Sequence, residues 1–179
     1  EKRMKTQCHN PYLPLWEHIP DGEPHVFEDR LYIFGSHDLE NGNEFCEQDY
    51  VSWSAPLDDL SDWRYEGVIY RKDQDPYNVN VLPLYAPDVV QGRDGRYYLY
   101  YCIKFQDSIN VAVCDTPAGQ YEFYGRVQYK DGQAMMENQT YDPSVICTEE
   151  GNFLYFGFAP CMINIPRYKD QDLKGGSVL

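Results

Sequence analysis

Ala86-Pro87-Asp88-Val89-Val90, followed after a short polar break by Arg96-Tyr97-Tyr98-Leu99-Tyr100-Tyr101, is the stretch on which the fold turns. A proline beside an acid marks the start of an extended segment, and a run this rich in aromatic and aliphatic residues reads as a strand. Between the two parts, Asp94-Gly95 is a hairpin-turn dipeptide. The arrangement recurs on either side. Upstream, Gly22-Glu23-Pro24-His25-Val26-Phe27 leads into Arg30-Leu31-Tyr32-Ile33-Phe34-Gly35; downstream, Tyr141-Asp142-Pro143-Ser144-Val145-Ile146 leads into Phe153-Leu154-Tyr155-Phe156-Gly157. Aligned on Ile33, Leu99 and Leu154, the copies recur roughly every 55 to 66 residues, within reach of one four-stranded sheet with its loops. The expectation is an all-β chain that builds about three blades of a β-propeller. Acids at matching points of successive blades would then face a common axis.

Composition agrees with this reading. The 179 residues include 17 Tyr, 8 Phe and 3 Trp beside 12 Pro and 13 Gly, the balance of aromatic strands joined by tight turns. Val51-Ser52-Trp53-Ser54 and Val111-Ala112-Val113-Cys114 read as half-buried strands, and Asp131-Gly132 as a second turn signal. The stretch from Ala55 to Trp63 is the one helix candidate. Pro56 breaks it, leaving a loop with at most one helical turn capped by Ser61 or Asp62. No linker or low-complexity tract divides residues 1–179, which read as a single domain.

Charge and cysteine usage exclude several functions. A formal net charge of -14 repels nucleic acid. No apolar run approaches the roughly 20 residues that cross a bilayer, so no membrane partner is expected. The six cysteines (Cys8, Cys46, Cys102, Cys114, Cys147 and Cys161) form no Cys-x-x-Cys pair, and several lie in strand-like runs. They read as free thiols in a reducing, cytoplasmic setting. Neither a calcium loop nor a paired-histidine motif is present, so no metal or other cofactor is expected.

The order of short motifs resembles glycoside hydrolase family 43, the five-bladed propellers that include β-xylosidases, α-L-arabinofuranosidases and arabinanases. The resemblance is carried by Asn10-Pro11-Tyr12-Leu13-Pro14, Glu23-Pro24-His25-Val26-Phe27, Gly35-Ser36-His37-Asp38, Tyr85-Ala86-Pro87-Asp88-Val89, Ile109-Asn110-Val111-Ala112-Val113 and Tyr141-Asp142-Pro143-Ser144-Val145. It implies an inverting glycosidase acting on an oligosaccharide or polysaccharide that contains arabinose or xylose. In such a site one carboxyl group protonates the leaving oxygen and another activates water across a gap of about 6.5–9.5 Å. By resemblance Glu23 is the general base and Asp142 the acid that tunes its neighbour, while the proton-donating glutamate is expected beyond Leu179. Most of the family has aspartate at the base position, and Asp21, two residues before Glu23, is the alternative. Three blades do not close a propeller, so a further segment or chain is expected to complete it.

The remaining site candidates follow from the chemistry of sugars. Their C–H faces pack on aromatic rings, and Trp16 and Tyr85 are the candidate platforms. Asp88 is a candidate substrate contact or a structural acid, since it follows its proline instead of preceding it. Ser36-His37-Asp38 is not a hydrolytic triad, because neighbours on a strand point to opposite faces. His37 and His25 instead read as hydrogen-bonded structural histidines or as residues that line or buttress the site. Two other functions fit the same residues: a non-catalytic carbohydrate-binding propeller, and a related five-bladed hydrolase of fructans or other furanosides.

Overall fold

The prolines of the three repeated motifs mark the edge strand of each sheet, where a missing backbone N–H costs no ladder bond on the open side. Pro24 lies in β1 (Glu23–Phe27), Pro87 in β5 (Leu84–Gln91) and Pro143 just before β9 (Ser144–Cys147). All three strands are edges. In β5 the proline falls at an irregularity in the ladder, between Tyr85 and Asp88. The computed structural model describes residues 10–136, 140–157 and 177–178, the last two as backbone alone.

From each edge strand the chain runs outward as an antiparallel meander. β1 pairs with β2 (Arg30–Phe34), then β3 (Tyr50–Pro56) and β4 (Arg64–Tyr70). β5 pairs with β6 (Tyr97–Ile103), then β7 (Ile109–Cys114) and β8 (Glu122–Arg126). β9 pairs with β10 (Asn152–Tyr155), and β11 (Ser177–Val178) follows on its far side. The inner strand β5 lies against both β1 and β9, so the sheets stack as successive blades. The turn signals hold: Gly95 and Gly132 adopt φ of 83° and 84°, the left-handed region that glycine enters without steric cost. The Ala55–Trp63 stretch holds turns and no helical turn; among the described residues the one helical element is a 3-10 turn at Lys72–Gln74.

The tyrosine-rich run of β6 divides its side chains between two cores, as the period of a strand requires. Tyr97, Leu99, Tyr101 and Ile103 join Phe27, Phe34, Tyr50, Ile69 and Tyr70 between the first two blades. Tyr100 faces the other way, with Ile109, Val111, Val127, Met135, Val145 and Leu154, between the second and third. Phe27 meets Tyr97 edge-on at 4.9 Å across the first interface. The polar ends of these rings are bonded: Tyr70 and Tyr101 share a 2.8 Å hydroxyl contact, and Tyr101 donates to the buried Asp75 at 2.5 Å.

β3 departs from the half-buried reading, since Tyr50 to Ala55 are all buried. Its serines are bonded to match: Ser52 Oγ donates to the Ile33 carbonyl at 3.1 Å, and Ser54 Oγ pairs with Glu66. Cys46, Cys102, Cys114 and Cys147 are free thiols. Cys8 and Cys161 lie outside the described residues.

Candidate active site

Hairpin register decides which acids occupy equivalent places. Ile33, Leu99 and Leu154 pair across their ladders with Pro24, Val89 and Val145. Three residues before those partners stand Asp21, Ala86 and Asp142; one residue before them stand Glu23, Asp88 and Ser144. Asp21 and Asp142 are therefore the matching pair. Their backbones agree, with φ of 53° and 51°. A left-handed aspartate is uncommon, and two at matching points of the first and third inner strands mark a place where the chain holds strain.

Asp21 is held in this turn by close approach of the strand that follows. A Cβ on Gly35 would meet Ile19 Cγ2 at 2.4 Å and the Pro20 carbonyl at 2.8 Å, so only glycine lets residues 19–22 lie this near to β2. Ser36, fully buried, then donates its hydroxyl to Asp21 Oδ2 at 3.3 Å. The loop after β2 is tied down in turn: Asp38 Oδ1 accepts the Cys46 N–H at 2.7 Å, and Cys46 is itself left-handed at φ 59°.

The two aspartates share an electrostatic neighbourhood. Both keep solvent contact, yet the protein packed around Asp142 and, second, the negative charge of Asp21 hold the Asp142 carboxyl above the ordinary aspartate value. Burial pushes the Cys46 thiol up to about 11, with the charges of Asp38, Asp21 and Asp142 adding to it against a hydrogen bond from Ser36. Burial likewise raises Cys102 to about 12, against the lowering effect of the Asp142 backbone beside it. Both thiols are thereby kept protonated at neutral pH and remain packing groups beside the acids.

Glu23, expected from the sequence as the base, occupies the first position of β1, exposed and opposite Phe34. Strand alternation places it on the same side as His25 and Phe27, the side that packs toward the second blade. Asp142 feels the charge of Asp21. Asp88 is 2% exposed, and its carboxylate is fully engaged. Oδ1 accepts from His25 Nε2 at 2.6 Å and from the Val89 N–H at 2.8 Å, while Oδ2 accepts the Val145 N–H at 2.6 Å. Of the two roles open to it in the sequence, the structural one matches this geometry.

His37 is a buttress, anchored to the Asp49 carbonyl through Nδ1 at 2.8 Å and to Glu17 through Nε2 at 2.9 Å. Glu17 also accepts from Trp53 Nε1 at 2.7 Å, and Trp16, 62% exposed, packs on Trp53 with ring centres 5.9 Å apart. Trp16 is thus an open ring on a fixed support. Tyr85, half-buried, lies 6.1 Å from the ring of Tyr141, the neighbour of Asp142. Two exposed rings went unread in the sequence: Phe45 and Phe105, at 77% and 79%, sit on loops joined by the Glu44–Lys104 ion pair. The Phe105 backbone lies close to the Tyr141 hydroxyl, which places its loop near Asp142. Among the described residues no cluster of His, Cys, Asp and Glu is set to hold a metal ion.

The model for glycosyl hydrolases family 43 matches residues 23–174. A xylosidase/arabinosidase of Thermoclostridium stercorarium is 58% identical over 162 residues, which cover 88% of this chain and 34% of that protein. One from Bacteroides ovatus is 32% identical, over 86% of this chain and 47% of its own length. The crystal structure of the GH43_1 enzyme from Xanthomonas citri complexed with xylose superposes with a TM-score of 0.62 at 28% identity, covering 82% of this chain and 41% of that one. The chain thus spans about a third to a half of the length of these relatives.

Proposed function

The chain belongs to family 43 of the glycosyl hydrolases, with the blades of their five-bladed propeller, and from that premise we propose that the protein hydrolyses arabinose- or xylose-containing glycans with inversion at the anomeric carbon. The observation that carries the reading is the Asp21–Asp142 pair: equivalent in register, alike in strained backbone, open to solvent and electrostatically coupled. Asp21 and Asp142, converging from the first and third blades, supply a water-activating carboxylate and a second charge near it, two of the groups used in hydrolysis of an acetal through an oxocarbenium-like transition state.

In this reading Asp21 is the general base that takes the proton of the attacking water, in preference to Glu23, which occupies a different register position. Asp142 is the neighbouring charge that raises the pKa of the proton donor. The donor belongs to the part of the enzyme that the relatives possess and residues 1–179 do not cover. Trp16 and Tyr85 supply apolar faces for the sugar. Substrate class follows the xylosidase/arabinosidase relatives and the xylose complex.

The test is the full-length enzyme on aryl β-xylosides and α-L-arabinofuranosides. Asp21→Asn is expected to lower kcat/KM by about 10²–10⁴, the range of a lost general base, while Glu23→Gln has a much smaller effect. NMR of the first-formed product should show the inverted anomer. A retained anomer would overturn the inverting site, and a larger loss in Glu23→Gln than in Asp21→Asn would return the base to Glu23.

A further inference from the structure

Asp88 combines three features that packing alone does not require: a carboxylate in mid-strand, near-complete burial, and bonds that leave its own sheet in two directions. Burying an acid is costly, and an apolar side chain would fill the space more cheaply. What an apolar side chain cannot do is accept from both neighbours. Oδ1 receives His25 Nε2 from β1 at 2.6 Å, and Oδ2 receives the Val145 N–H from β9 at 2.6 Å. His25 lies four residues after Asp21, and Val145 three after Asp142. The histidine is itself fixed, stacked on Phe27 at 5.7 Å and 12° and tilted against Phe34 at 6.2 Å. β1 and β9 belong to separate sheets, so this carboxylate is a direct polar tie between the segments that carry the two acids.

We propose that Asp88 is a positioning residue that, with His25, sets the separation of Asp21 and Asp142 by joining three blades through one carboxylate. The proposal rests on the reading of Asp21 and Asp142 as the acid pair. An inverting site works only while its base, its proton donor and the charge that tunes the donor hold their places around one water, and Asp21 and Asp142 are two of those three groups. A displacement of about 1 Å at such a site costs about 100-fold in rate. Hydrogen bonds to a carboxylate are short and directional, which suits them to holding that spacing better than the apolar contacts around them.

The experiment compares His25→Phe, His25→Gln and Asp88→Asn in the full-length enzyme. Phenylalanine keeps the ring against Phe27 but removes the donor; glutamine keeps a donor N–H; asparagine replaces one accepting oxygen with a donor. In fully folded protein, His25→Phe and Asp88→Asn are expected to lower kcat about 100-fold with KM little changed, and His25→Gln to stay within about tenfold of the parent. The alkaline limb of the rate profile should move to lower pH in the first two, as Asp142 shifts away from the proton donor whose pKa its charge raises. Parental kcat and pH profile in His25→Phe, or losses that follow only the unfolded fraction, would overturn the proposal. Should the parent enzyme turn over no glycoside, it is the hydrolase reading that fails. The tie is then judged by amide exchange at Val145, which Asp88→Asn should accelerate and which, unchanged, would refute it.

Discussion

Asp88 and Asp142 look alike in sequence, each beside a proline at the head of an inner strand, and the structure gives them opposite lives. Asp88 sits inside β5, 2% exposed, with both oxygens saturated by donors from three blades. Asp142 sits two residues before β9, in a left-handed turn, open to solvent and held above its ordinary pKa. One acid is placed where its charge is neutralised by design of the ladder; the other where its charge is made uncomfortable. What separates them is a shift of two positions relative to the hairpin partner. Burial and hydrogen bonding, more than residue type, decide whether a carboxylate holds a structure or works in a site.

The largest effect that would break this contrast is expected at Asp88. Asp88→Ala leaves the Val145 N–H and His25 without their acceptor inside the protein and should cost about 3 kcal/mol or more in urea unfolding. Asp142→Ala should cost far less, and equal losses would erase the distinction. Gly35→Ala comes next, at about 1–3 kcal/mol, because the added methyl collides with the Ile19–Pro20 backbone and side chain. It should also lower activity through Asp21, which a stability loss alone would not do in folded enzyme.

A smaller effect of the opposite sign is expected for Asp142→Asn. A carboxyl whose folded pKa is raised binds its proton more tightly in the native state, so its ionisation detracts from stability as pH climbs through that pKa. The amide removes this cost, and the variant should melt slightly higher than the parent at neutral pH while the difference vanishes near pH 3, below both values. Thermal scans at the two pH values check it. The smallest effect is expected for Ser144→Asp, which puts an acid at the register position of Asp88 in the third blade. That position is exposed, so the change should stay within about 0.5 kcal/mol. A large penalty there would mean that register by itself dictates the fate of the acid.

The sequence shows the blades readily because each signal is local. Asp94-Gly95 and Asp131-Gly132 place glycine where the turn needs a left-handed residue, and the prolines mark edge strands. The acids are harder, because their proline neighbours differ by a residue or two and the ladder counts from the other strand of the hairpin. Counting back from the partners of Ile33 and Leu154 brings out Asp21 and Asp142 together, but that count needs the ladder; anchored on the proline, the sequence sets Glu23 beside Asp142 and leaves Asp21 as the alternative. Cys46 and Cys102 were not legible. They meet the acids through the loop after β2 and the middle of the second blade, and no spacing in the chain encodes that approach. β3 was misread for a similar reason: serine looks like a solvent-facing residue until Ile33 and Glu66 are seen to satisfy it.

β6 carries two messages interleaved in one line of text, odd-numbered residues addressed to the blade before it and Tyr98 and Tyr100 to the blade after. Deleting a single residue from its middle would not garble one message; it would deliver each to the other's address, exchanging Leu99 and Tyr100 between interfaces that differ in size and shape. Such a strand resists change by insertion or deletion far more than by substitution. The second blade is consequently no interchangeable module: transplanted alone, it would bring half of each neighbour's interior with it.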